Sequence, residues 1–264
     1  MLASHSFDAF PPNTCRCHPG GAHRRCEAAA VIAGRQASDC HPSRRHFLRT
    51  SLAGAAAGAL AGVGIGLFPR AAQAQNNISP DAALQQLMDG NQRFAEHRLT
   101  SFEEDLALLK QMSVEGQAPF ASVLSCADSR VPVELVFDQT IGRLFVARVA
   151  GNIATAELIA SLEYGAAVLG SKAIVVMGHS SCGAVKATIS GKPVPGQISV
   201  LYRYIRPAVD QAGTDLEAVS KANAKIQARL LRESSPVLAE LIKKKQLKVV
   251  AAYYDVATGK VAWL

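Results

Sequence analysis

The stretch LFVARVAGNIATAELIASLEYGAAVLGSKAIVVMGHSSC, residues 144–182, decides the fold of this 264-residue chain. It opens with a short apolar run, Leu144–Val149, and closes on a second, Ala173–Met177, which is followed at once by Gly178 and His179. Short runs of this kind, rich in β-branched residues, read as buried strands. Between them, Thr155–Leu169 places Leu158, Ile159, Leu162 and Val168 at helical spacing, so that face is expected to turn inward. A strand, a crossover helix and a second strand make a parallel pair, because parallel neighbours cannot be joined by a tight hairpin. The expected fold class is therefore α/β, a mostly parallel central β-sheet flanked by helices.

Working outward, Phe120–Ser125 is a third apolar strand, and it ends directly at Cys126. Open parallel sheets collect their ligands at the carboxyl ends of the strands. Cys126 and His179 both stand at such ends, and Cys182 follows three residues after His179. Two thiolates and one imidazole form a soft donor set that suits zinc and leaves a fourth position free. Asp128 and Arg130 lie two and four residues past Cys126, which suggests a charged pair beside a metal. Two other readings stay open. A Cys126–Cys182 disulfide suits an exported protein but leaves His179 without a role. Asp128 and Arg130 also fit a surface ion pair worth under about 1 kcal/mol. Gly183, at the start of the next helix, offers a backbone N–H to an anion, although helix packing is an equal reason for glycine there.

The rest of the second half follows the same pattern. Ser79-Pro80 reads as an N-cap and first-turn proline opening a helix to about His97, with Leu84, Leu87, Met88, Asn91 and Phe94 along one stripe. A second helix is expected over Phe102–Met112. Further helices are expected over Ala184–Ile189, Ile198–Gln211, Asp215–Arg232 and Pro236–Lys245. Leu247–Tyr254 is a terminal strand that turns at Ala257-Thr258-Gly259 into a hairpin with Lys260–Leu264. No repeat or low-complexity linker interrupts residues 75–264, so one domain is expected there.

The first quarter has a different composition. Residues 1–74 hold 8 Lys/Arg against 3 Asp/Glu, whereas residues 75–264 hold 20 against 18. Most of the +7 formal charge thus lies in the leader region, and no basic face with interleaved aromatics marks a nucleic-acid binder. Ser43-Arg44-Arg45-His46-Phe47-Leu48-Arg49 is a twin-arginine signature; a mildly apolar run, Leu52–Phe68, follows it, and Ala72-Gln73-Ala74 is a small-x-small cleavage pattern. Residues 1–74 are accordingly expected to be an N-terminal extension and export leader, removed before Gln75, in contact with the membrane only in transit. An uncleaved anchor is the competing reading of the apolar run. Residues 1–42 carry Cys15, Cys17, Cys26 and Cys40 without zinc-knuckle spacing. No Met lies between Met1 and Met88, so a later translation start requires a non-ATG codon, for example at Val31. Twin-arginine export moves folded proteins, so the metal is expected to load in the cytoplasm, where thiolates stay reduced.

CADSRVP from Cys126, LFVARVAGN from Leu144, EYGAAVLG from Glu163 and GHSSCGAV from Gly178 together resemble the β-class carbonic anhydrases. The resemblance spans Leu84 to the C-terminus. It implies one Zn2+ per subunit on Cys126, His179 and Cys182, with Asp128 and Arg130 as the active-site dyad. It also implies reversible hydration of carbon dioxide to bicarbonate and a proton by a periplasmic or otherwise exported homodimer or homotetramer. Asp128 is implied to swing onto the metal in a closed state. Two alternatives remain: a related zinc hydrolase of carbonyl sulfide or carbon disulfide, and a non-catalytic zinc-binding protein. The chain departs from the family at Arg148-Val149-Ala150-Gly151-Asn152, where many relatives read R-N-V-A-N. Its single tryptophan, Trp263, does not supply the Trp/Arg/Tyr set of a noncatalytic bicarbonate site. His97, the other histidine past residue 75, reads as a surface residue rather than a proton shuttle.

Overall fold

The computed structural model describes residues 77–101 and 106–264, all within one compact unit. The expected leader, its cleavage site and the first residues of the expected Phe102–Met112 helix lie outside the described residues.

Helix α1 spans Pro80–Ala95. Ser79 caps it, its hydroxyl accepting from the Ala82 N–H at 3.1 Å, and Asp81 and Arg93 complement the helix dipole at its two ends. Helix α2 is Leu106–Glu115, β1 is Ala121–Ser125 and α3 is the short Val133–Val136. Strand β2, Leu144–Arg148, precedes α4, Ala156–Glu163, which runs into a π-helical turn over Tyr164–Val168. Strand β3 is Ala173–His179 and α5 is Gly183–Ser190. A 3-10 turn, Ile198–Leu201, leads into α6, Tyr202–Ala212; α7 is Leu216–Ser234 and α8 is Pro236–Lys243. The chain ends with β4, Lys248–Tyr254, and β5, Val261–Trp263.

The five strands form one sheet in the order β2-β1-β3-β4-β5, parallel throughout except for the antiparallel β4–β5 hairpin. From β1 the chain moves outward to β2, then returns past β1 to β3. The direction of winding therefore reverses between β1 and β3, the switch point where open α/β sheets place their ligands. Ser125 stands opposite Met177, so Cys126 and His179 emerge almost level at that edge.

Side chains alternate between two buried faces. Val123, Val175, Met177 and Ala252 pack with Ala83 and Leu87 of α1 and with Val133, Val136 and Phe137 of the α3 region. Leu124, Ile174, Val176 and Ala251 face Leu162 of α4, Ala224, Ala228 and Leu231 of α7, and Leu238 of α8. With both faces covered, β1 and β3 are buried along their whole length, which is why they read as unbroken apolar runs.

The expected Thr155–Leu169 helix changes character halfway. Leu169 N–H reaches back to Tyr164 O at 3.1 Å, an i→i+5 bond that adds a residue to the turn. That extra residue points Gly165 and Ala166 at the sheet, and Val168, expected inside, is 45% exposed. A Cβ on Gly165 would come within 2.8 Å of Ser122 Oγ, so the helix can sit this close only with glycine.

Two buried polar groups fasten α1. Asn91 donates to Val136 O and Gly259 O and accepts from Val261 N–H. Asp138, held at φ 46°, accepts from Arg93 Nε, from Thr100 N–H and Oγ1, and from Ser101 N–H. Burial pushes the Asp138 carboxyl up, but Arg93 and the Ser101 and Thr100 donors outweigh it and hold it well below the usual carboxylate range.

Candidate metal centre

Cys126 follows the last residue of β1, His179 is the last residue of β3, and Cys182 is the N-cap of α5. Their donor atoms lie within 4.8 Å of one another, and all three residues are buried. Both cysteines are free thiols, so the Cys126–Cys182 disulfide is not formed. The His179 ring is oriented by Ser180: Nδ1 lies 2.9 Å from Ser180 O, which makes Nδ1 the donor and leaves the Nε2 lone pair available. Nε2 is buried and has no hydrogen-bond partner. An orphaned imidazole nitrogen facing two thiols is costly unless something binds it.

The sulfurs are electrostatically unequal. The hydrogen bond from Cys182 is the largest influence on Cys126; with His179 and the Gly151 N–H it overcomes burial and pulls the Cys126 thiol down. The hydrogen bond to Cys126 pushes the Cys182 thiol up, and burial adds to this. The Gly151 N–H points at Cys126 Sγ from 3.3 Å.

Asp128 and Arg130 form a fork. Arg130 Nε donates to Oδ1 at 2.9 Å and Nη2 to Oδ2 at 2.7 Å, and the Arg130 backbone N–H also reaches Oδ1. Arg130 holds the Asp128 carboxyl far below the usual carboxylate range, so it is ionised at neutral pH. Its Oδ2 is 4.0 Å from His179 Nε2. The pair is no detached surface contact, because Arg130 Nη2 also donates to Ser181 O at 3.2 Å, joining the two ligand-bearing loops.

What three further residues do was not visible in the sequence. Arg148 donates through Nε to Cys126 O and through Nη2 to Asp128 O, at 2.9 and 2.6 Å, clamping the loop after β1. The Ser180 N–H donates to Tyr254 O, and its hydroxyl accepts from Val256 N–H. Ser181 takes φ 56°, which swings the chain from β3 into α5. Gly183 begins α5 with open space where a Cβ would stand, so packing does not require glycine there. His97 is exposed just beyond α1, as a surface residue.

Two thiols and one free imidazole nitrogen, with no competing buried carboxylate beside them among the described residues, fit a soft or borderline cation such as zinc, with a carboxylate outside the donor set. Residues 121–261, from β1 to β5, match the carbonic anhydrase family. The chain belongs to that family. It is 33% identical over 202 residues to a carbonic anhydrase of Mycolicibacterium smegmatis, a match covering 70% of this chain and 93% of the other. The Coccomyxa β-carbonic anhydrase, solved with acetazolamide, superposes with a TM-score of 0.55 at 27% identity, covering 69% of this chain and 86% of that one. A tetrameric β-carbonic anhydrase of Sordaria macrospora shares the fold with a TM-score of 0.55 at 23% identity, over 69% of this chain and 97% of that one. This carbonic anhydrase also carries an address: residues 41–61 match the twin-arginine translocation signal, so the enzyme is exported by that pathway. Among the described residues no helix is long and apolar enough to cross a membrane.

Proposed function

We propose that this enzyme interconverts carbon dioxide and bicarbonate with one zinc ion per subunit, held by Cys126, His179 and Cys182. The observation that carries the reading is the buried, unpartnered His179 Nε2, facing two thiols and standing 4.0 Å from an ionised Asp128. Bound there, zinc acts as a Lewis acid that lowers the pKa of water from 15.7 to about 7.

Asp128 is too acidic to store a proton at neutral pH, so its part is to accept. It takes a hydrogen bond from the attacking water and aims the water's lone pair at the substrate carbon. Arg130 keeps that carboxylate ionised and turned, and its grip on both oxygens opposes a swing of Asp128 onto the metal. That grip favours a catalytic site over a non-catalytic one closed by Asp128. The free N–H at Gly183, at the positive end of α5, offers an anion contact for bicarbonate.

Residues 75–264 form the catalytic domain in this proposal, and residues 1–74 are the extension and leader. The working form is a homo-oligomer. Ile141, Tyr164 and Val168 are each nearly half exposed near the edge strand β2, with Tyr164 against Phe145, and a second copy would cover them. The tetrameric state of the Sordaria relative supports this.

Stopped-flow hydration of carbon dioxide by the zinc-loaded enzyme tests the activity. Turnover is expected with wild type, and with Cys182→Ser a loss beyond the roughly 10–100-fold that follows from mutating an outer partner of a metal ligand. Release of hydrogen sulfide from carbonyl sulfide without carbon dioxide hydration would overturn the substrate assignment.

A further inference from the structure

We propose that Asn223 is a positioning residue for the metal centre: its side-chain amide fixes Gly151, so that the Gly151 N–H stays aimed at the Cys126 sulfur. This inference rests on the zinc reading above and concerns how that site is tuned.

Gly151 is the third residue of a tight turn closed by Asn152 N–H to Val149 O at 2.9 Å, and its φ of +79° suits the type II pattern. A side chain there would be strained by that φ, and its Cβ would stand 2.7 Å from Ile205 Cδ1, which would have to shift. Glycine solves the geometry but brings freedom, so the direction of its N–H has to be fixed from outside. Asn223, wholly buried on α7, anchors the far side of that glycine, donating from Nδ2 to Gly151 O at 2.8 Å and so limiting how far the peptide that carries the N–H can turn. Its Oδ1 in turn accepts from Gln227 Nε2 at 3.2 Å, one helical turn on. Gln227 is tied down as well, donating to Tyr204 O and accepting from Ala154 N–H at 2.9 Å. The two amides are thus oriented by fixed backbone partners, and the ladder ends at the sulfur: Gln227 to Asn223, Asn223 to Gly151, Gly151 N–H to Cys126 Sγ at 3.3 Å.

Such a ladder would also form if the amides merely closed the backbone of an irregular loop. The difference lies at the sulfur. An N–H donor draws electron density from a thiolate, so the sulfur gives less charge to a bound metal and the metal remains a stronger Lewis acid. A structural amide leaves that donation unchanged when removed; a positioning amide does not.

The test uses the purified exported protein loaded with cobalt(II), whose thiolate-to-metal charge-transfer band reports sulfur donation. Wild type is expected to show the band. Asn223→Asp, which replaces the donor with an acceptor, and Asn223→Leu are expected to move it to longer wavelength. An unshifted band in a folded variant overturns the inference alone. A wild-type protein with no thiolate band overturns the zinc reading and this inference with it. Cadmium-113 substitution of wild type gives a second measurement that needs no variant. A scalar coupling from the metal to the Gly151 amide proton is expected, and its absence overturns the proposal.

Discussion

Arg130 meets Asp128 through two parallel N–H groups, a geometry that a lysine ammonium cannot reproduce. Arg130→Lys should keep the positive charge yet free the carboxylate to rotate. We expect kcat for carbon dioxide hydration to fall about 10-fold, the lower end for loss of a group that orients a metal site. Stopped-flow kinetics would measure this, and an unchanged kcat would show that charge alone suffices. The residues of the candidate centre differ in how readable they are. Cys126 and His179 were legible because each sits where a strand ends, and strand ends are marked by the close of an apolar run; Cys182 was legible because it follows His179 by three residues. Asp128 and Arg130 were legible through their nearness to Cys126. Arg148, Gly151 and Asn223 were not, because their contacts depend on backbone direction and on pairs separated by 20 to 72 positions. Nothing in the local pattern of α7 distinguishes an asparagine aimed at a distant glycine from any other buried amide.

At the scale of elements, α1 is held by polar groups as well as by its apolar stripe. Asp138, itself buried, gathers Arg93 and the turn after α1 into one part-buried knot. Removing one partner of a fully buried pair costs about 3–5 kcal/mol, and the 31% exposure of the Arg93 side chain puts this one at the low end. Asp138→Asn should therefore destabilise the protein by about 3 kcal/mol at neutral pH, seen as a lower urea midpoint. The pH dependence has a definite sign. The folded carboxyl lies below its unfolded value of about 3.9, so its stabilisation is complete above that value and is lost as pH falls through the lower folded one. The gap between wild type and variant should narrow in acid, and a gap independent of pH would rule out the charged pair as its source. Element types and order were largely legible, since caps such as Ser79 and apolar periods are local signals. The π-helical turn after α4 was not. Its extra residue follows from how closely Gly165 meets Ser122 across the sheet, a contact absent from any local pattern.

For the whole molecule, the parallel sheet could be read from the strand-helix-strand stretch, but the order β2-β1-β3-β4-β5 could not, because spacing alone does not say on which side of β1 the chain returns. That order leaves β2 at one edge, beside apolar side chains that a second copy would cover. Sedimentation of the exported protein should show a dimer or tetramer of chains whose intact mass begins at Gln75. A monomer at micromolar concentration would refute the oligomer, and a mass that retains the leader would refute the cleavage site. The pairing of β1 with β3 also sets an order of events in time. Of the three donors of the centre, His179 and Cys182 are near neighbours before those strands join; Cys126 is 53 positions upstream of His179 and arrives with the sheet. On the proposed zinc reading, tight capture therefore waits for the centre of the sheet to assemble, so a filled site and a joined sheet are reached together.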